Sequence, residues 1–207
     1  MNIKRVAGTF SILALTEKPK LIGVAVASGS TNVGDRVPYA KAGVGAIATQ
    51  AYTNTIYGSE GLKLLSQGFS PTEALKRLLM EDSERDLRQV AIMNFNGEKA
   101  AFTGASVPEY RGEVIGENFI VIGNLLSTKG VVDKMAKNFE GSSGDLALRL
   151  VGALKAGVKS GGDKRGERSA ALIIASAEKI ELEVNVGFSL KPVEELYLKV
   201  KSVRKAL

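Results

Sequence analysis

The stretch RVAGTFSILAL, residues 5–15, contains the first strand of the chain and its one ambiguous residue. From Thr9 to Leu15 every side chain is apolar, small or β-branched, a composition that fits a strand buried on both faces. Thr9 has two readings. It is either a strand residue of high β propensity or a nucleophile waiting for the eight residues before it to be removed. Gly8 favours removal, because it has no side chain to block attack by the Thr9 hydroxyl on the preceding carbonyl and it tolerates strained backbone. Residues 1–8 are therefore a candidate propeptide, or a plain extension.

Outward from this strand the chain alternates in type. TFSILAL and KLIGVAVAS flank a turn at Glu17 to Lys20, and VGAIATQA follows a loop containing Pro38. Two short helices come next. Ser59 caps a helix carrying Leu62, Leu64 and Leu65 and stopped by Gly68. Ser70, Pro71 and Glu73 then form a capping box ahead of Ala74, Leu75, Leu78 and Leu79. QVAIMNF and KAAFTG are strands joined through Asn96 and Gly97, a pair that accepts positive φ, and NFIVIG is another strand. Val131, Val132, Met135, Ala136 and Phe139 make one helical stripe; Leu146, Ala147, Leu150, Val151 and Leu154 make a second. SAALIIAS and IELEVNV close the strands. A last helix begins near Pro192, with Val193, Leu196, Tyr197, Val200 and Leu207 on one side. Strands apolar on both faces need a second sheet on one side and helices on the other. The expected fold is α+β: a single domain over residues 1–207, built as a four-layer α/β/β/α sandwich of two stacked, mainly antiparallel sheets.

Two absences narrow the chemistry. The 207 residues include no Cys and no His, so disulfides, thiolate nucleophiles, cysteine-ligated zinc and Ser-His-Asp mechanisms are excluded within this chain. No dense Asp or Glu cluster stands in for them, and neither a metal nor a cofactor is expected. The net charge of +6 is scattered and interleaved with acids, as in KRLLMEDSERDLR, which reads as solvated surface and not as a nucleic-acid footprint. The apolar runs fall far short of the roughly 20 residues that cross a bilayer. Lys4 and Arg5 ahead of an apolar stretch mimic a secretory signal, but Gly8, Thr9 and Ser11 interrupt it and no A-x-A site follows before Glu17. A cytoplasmic location is expected.

TFSILA at 9–14, AGVGAIATQAYTN at 42–54, YGSEGLKLL at 57–65, GNLL at 123–126 and GGDKRGERSAAL at 161–172 together resemble an uncharacterised family, domain of unknown function 1028. That family is assigned to the N-terminal nucleophile (Ntn) hydrolases, the superfamily of the proteasome β subunits and several amidases. The resemblance spans nearly the whole chain and implies the same four-layer fold. It also implies a nucleophile at the start of the mature chain whose own α-amine accepts the hydroxyl proton, so no His is needed. A free α-amine with pKa about 7.7 is roughly one-sixth neutral at pH 7, whereas an unperturbed Lys at about 10.4 is neutral on the order of 0.04% of the time. Thr9 corresponds to the family's start, and the Gly8–Thr9 junction looks like the processing site of proteasome β precursors.

The remaining candidates each carry a structural alternative. Asn124, after FIVIG, is the first choice for an oxyanion donor, or it satisfies backbone groups at a strand end. Gln50, Tyr52 and Asn54 line a substrate pocket, or they shape a turn. Lys41 is a candidate to tune the α-amine. Arg165 holds an anionic substrate group, or Asp163 pairs with it and pins the glycine-rich loop; the pairing is favoured. The function expected is an amidohydrolase acting on a small-molecule or peptide amide. The alternative is a catalytically inactive Ntn-fold module for small-molecule binding or assembly. A homo-oligomer is expected by analogy alone.

Overall fold

Residues 8–205 are described by a computed structural model. Strand β1 (Thr9–Glu17) turns through Lys18 and Pro19 into β2 (Lys20–Ser28). That two-residue turn fixes an antiparallel register running from Glu17 opposite Lys20 to Thr9 opposite Ser28. A four-stranded antiparallel sheet follows in the order β3 (Pro38–Lys41), β4 (Gly45–Ala51), β5 (Arg88–Asn94) and β6 (Lys99–Thr103). Between β4 and β5 lie α1 (Ile56–Ser66) and α2 (Pro71–Glu81). The first sheet is completed by β7 (Gly112–Ile115), β8 (Phe119–Asn124), β9 (Ser169–Ala175) and β10 (Ile180–Val186), in the order β10-β9-β2-β1-β8-β7, again antiparallel throughout. Helices α3 (Gly130–Glu140), α4 (Leu146–Lys159) and α5 (Pro192–Lys205) complete an α+β fold. Among the described residues no helix is long and apolar enough to cross a membrane.

The period-two geometry of a strand explains why β1 is apolar on both faces. Leu13 and Leu15 join Ala46, Ala48, Ala91 and Met93 of the other sheet in one buried cluster. Phe10, Ile12 and Ala14, pointing the opposite way, pack with Met135, Leu150 and Leu154 of α3 and α4. Strands β4 and β5 divide in the same manner, sending Ile47, Val90 and Ile92 against Leu75 and Leu78 of α2.

Two local expectations are corrected and one strand is added. The segment around Pro38 is a strand, not a loop: β3 lies at a sheet edge, where a residue without an N–H can pair on one side only. Helix α1 begins at Ile56, ahead of Ser59. Asn54 Oδ1 receives the Ile56 amide at 3.1 Å, and Ser59 lies inside the helix. Strand β7 was not anticipated, since GEVI is too short and too exposed to carry a pattern. The capping box at Ser70 is formed as expected, with Glu73 N–H on Ser70 Oγ at 3.3 Å and Ser70 N–H on Glu73 Oε2 at 2.9 Å. The propeptide expectation concerns residues 1–8, of which 1–7 lie outside the described residues, as does Leu207 of the last helical stripe.

One ion pair ties α2, β5 and the turn after β4 together. Asp82 and Arg88 meet at 2.8 Å with each side chain 9% exposed. Arg88 also donates to Tyr52 O at 2.8 Å and to Glu84 Oε2 at 2.8 Å. Its bond holds the Asp82 carboxyl at about 2, below the ordinary 3.8. Burial, helped by the adjacent carboxylate, pushes the Tyr57 hydroxyl up. Because the folded Asp82 titrates below the unfolded one, its contribution is complete above pH 3.8 and is lost as the pH falls towards about 2. Asp82→Ala is expected to cost about 2 kcal/mol at neutral pH by removing the buried carboxylate partner of Arg88, whose bonds to Glu84 and the Tyr52 carbonyl remain. Urea titrations across that acid window should show a shallower loss of stability in the variant than in the native protein.

Candidate functional site

Thr9 occupies the first position of β1 and is 2% exposed. The register puts Ser28 beside it on one flank and Asn124 on the other. Ser28 Oγ donates to Gly8 O at 2.6 Å and lies 3.0 Å from Thr9 Oγ1. With its single proton directed at the carbonyl, Ser28 accepts from the Thr9 hydroxyl. The result is a continuous path from Thr9 Oγ1–H through Ser28 to the carbonyl of the residue before Thr9. Gly29 N–H reaches the same carbonyl at 3.3 Å and gives its shorter bond, 2.6 Å, to Asp163 Oδ2.

Asp163 is the charge beneath this group. Its side chain is fully buried, and Arg165 binds it through the backbone amide at 2.8 Å, Nε at 3.2 Å and Nη2 at 3.0 Å. Glu167 Oε1 in turn receives the Asp163 amide at 3.0 Å. The expected pairing of Asp163 with Arg165 is formed, and it orders the glycine-rich loop against Gly8 and Gly29.

A second polar network runs between the sheets. Gln50 Nε2 donates to Thr9 O at 3.1 Å and to Gln89 Oε1 at 2.8 Å, while its Oε1 accepts from Ser11 Oγ at 2.6 Å. Gln89 Nε2 faces Gly123 O at 2.9 Å, Thr103 Oγ1 at 3.0 Å and Gly112 O at 3.2 Å. Those carbonyls fix which end of the Gln89 amide is which, so Oε1 must accept from Asn124 Nδ2, 3.1 Å away. Asn124, fully buried, is left with Oδ1 unpartnered among the described residues. The donors at the Gly8 carbonyl are thus Ser28 Oγ and Gly29 N–H, while the Asn124 amide serves Gln89 and presents an acceptor. Both strands that deliver these amides stop abruptly: Ala51 after Gln50 and Leu125 after Asn124 have φ of 69° and 47°. Such left-handed residues cost roughly 1 kcal/mol or more each when they carry a Cβ.

The other candidates lie elsewhere. Asn54 accepts from the Ile56 amide at the start of α1 and donates to Asp82 Oδ2 at 3.4 Å, and Tyr52 is bound to Arg88 through its carbonyl, so both belong to the Asp82 cluster. Lys41 pairs with Gly45, at the end of β4 opposite Gln50, and donates to Ser66 Oγ at 3.1 Å. It is not placed to tune an amine at Thr9. Sequence reasoning missed Ser28, Gly29 and Gln89. Gln89→Met should cost about 3 kcal/mol, since it strands the Gln50 and Asn124 amides and two backbone carbonyls between the sheets. Chemical denaturation is the check.

Among known proteins, a crystal structure from Silicibacter pomeroyi, attributed to family DUF1028, superimposes with a TM-score of 0.89 at 31% identity, covering 94% of this chain and 85% of that one. Anbu (ancestral beta-subunit) from Yersinia bercovieri gives a TM-score of 0.43 at 10% identity, covering 96% and 95%. No curated protein matches. The pattern of the family described as "Family of unknown function (DUF1028)" matches residues 9–196, beginning at Thr9 itself, and the chain belongs to that family.

Proposed function

We propose that the protein is an Ntn-type amidohydrolase of four-layer α/β/β/α architecture, which frees Thr9 by cutting its own Gly8–Thr9 bond and then cleaves an amide in a small-molecule or peptide substrate. The observation that carries this reading is the hydroxyl path: Thr9 Oγ1 contacts Ser28 Oγ at 3.0 Å, and Ser28 Oγ donates to the Gly8 carbonyl at 2.6 Å. Addition of Thr9 Oγ1 to the Gly8 carbonyl carbon closes a five-membered ring. The hydroxyl proton passes through Ser28 to the carbonyl oxygen and neutralises the charge that addition develops there, while Gly29 N–H supports the same oxygen. Breaking the C–N bond returns that proton to nitrogen and leaves an ester on Thr9. Water hydrolyses the ester, giving a Gly8 carboxylate and a free Thr9 α-amine.

The same parts then act on substrate. The α-amine removes the hydroxyl proton, Thr9 Oγ1 adds to the substrate carbonyl, and the proton is delivered to the leaving nitrogen. Asn124 Oδ1, an unpaired buried acceptor on the strand beside Thr9, is the group assigned to hold the amine that cleavage creates. An acceptor orphaned in the precursor and satisfied in the product also favours cleavage.

Intact-mass measurement of the purified protein is expected to show a chain beginning at Thr9. Thr9→Ala should remain uncut, and Ser28→Ala should slow cleavage by roughly 100-fold. A native chain that retains Gly8 in every preparation overturns the hydrolase reading and leaves the inactive binding or assembly module.

A further inference from the structure

We infer that the acyl group accepted by this site is one whose α-carbon carries no side chain in the L configuration, as in glycyl and N-acylglycyl amides. The inference rests on the hydrolase reading and adds to it a substrate class. It comes from the wall behind Gly8. A methyl group built on Gly8 in the L configuration would stand 2.5 Å from Asp163 Oδ2, 2.6 Å from Cγ and 2.7 Å from Oδ1. A carboxylate at the end of a loose side chain would swing aside, but this one is fastened. Gly29 N–H, Arg165 N–H, Arg165 Nε and Arg165 Nη2 all bind it, and its side chain is fully buried. The carboxylate is also packed against Gly29, close enough that a Cβ added there would stand 2.4 Å from Asp163 Oδ2.

The precursor and the substrate share this wall for a chemical reason. Self-cleavage passes through an ester of the Gly8 acyl group on Thr9 Oγ1, and substrate cleavage passes through an ester of the substrate acyl group on the same oxygen. In each, the C–O bond forms first and the C–N bond of the tetrahedral adduct then breaks, the hydroxyl proton goes to the departing nitrogen, and water releases the acid. An acyl carbonyl held by Thr9 on one side and by Ser28 Oγ and Gly29 N–H on the other keeps its α-carbon against Asp163. An L side chain there is pressed into a carboxylate that has no room to yield, whereas the glycyl methylene fits.

The test compares N-acetylglycyl and N-acetyl-L-alanyl 4-nitroanilide on the purified protein whose N-terminus has been read by mass. The expected result is a chain beginning at Thr9 with kcat/KM at least about tenfold higher for the glycyl amide. Asp163→Ser, which lowers the wall, should shrink that ratio whatever it does to the two rates; should that variant not fold, the native comparison decides alone. Equal rates, faster L-alanyl cleavage, or no cleavage of either amide by a chain beginning at Thr9 would overturn the specificity and leave self-cleavage intact. A chain that still carries Gly8 and turns over neither amide overturns the hydrolase reading together with it.

Discussion

Between the two sheets, at the end where β1 begins, polar side chains stand where an apolar core would otherwise continue. Ser11, Gln50, Gln89 and Asn124 are all fully buried. A primary amide shut away from water costs several kcal/mol unless its donors and acceptor are met, so each of these groups must find a partner inside the protein. The bonds they form are directional. Gln89 takes its orientation from backbone carbonyls of β7 and β8, Gln50 and Asn124 take theirs from Gln89, and Ser11 takes its own from Gln50. Only one acceptor is left over in that sequence, and it lies next to Thr9.

This network joins the sheets as well as filling the space. Leu13, Ile122, Ala48 and Met93 further along the same strands hold the sheets together by apolar burial, which has no preference for one register over another by itself. Hydrogen bonds from Gln50 to the Thr9 carbonyl and from Gln89 to Gly123 do have such a preference. They set β1 and β8 against β4 and β5 beside the Gly8–Thr9 bond. On the far flank, Asp163 and Arg165 bring a loop that is distant in sequence onto Gly29, and through it onto the Gly8 carbonyl. The Gly8–Thr9 bond is therefore clamped from the interior by neutral amides and from the rim by a carboxylate.

Legibility followed the range of the interaction. The capping box of α2, the stripes of α3 and α4 and the central strands were all readable, since each depends on residues within a few positions of one another. Of the four edge strands, β6 and β10 were readable and β3 and β7 were not: each of the latter is only four residues long, β3 opens with proline and β7 is half-solvated, so neither carries a pattern. Ser28 was within reach. Counting outward from the two-residue turn at Lys18 and Pro19 places it opposite Thr9, and a hydroxyl facing a candidate nucleophile is a signal that was in the sequence. Gln89 was not within reach, because its partners come from β4, β6, β7 and β8 at once.

The amino-acid order alone determined that this chain lacks thiol and imidazole chemistry, that its strands must be covered on two sides, and that Gly8 and Thr9 adjoin at the head of the first of them. These follow from residue identity and from periodicities of two and 3.6. Tertiary structure decided which groups face the Gly8 carbonyl, which end of the Asn124 amide is free, and that Tyr52 and Asn54 serve the Asp82 cluster. The reason is physical: a hydrogen bond is won or lost over a few tenths of an ångström and by its angle, and those are settled only when strands from different parts of the chain are packed together.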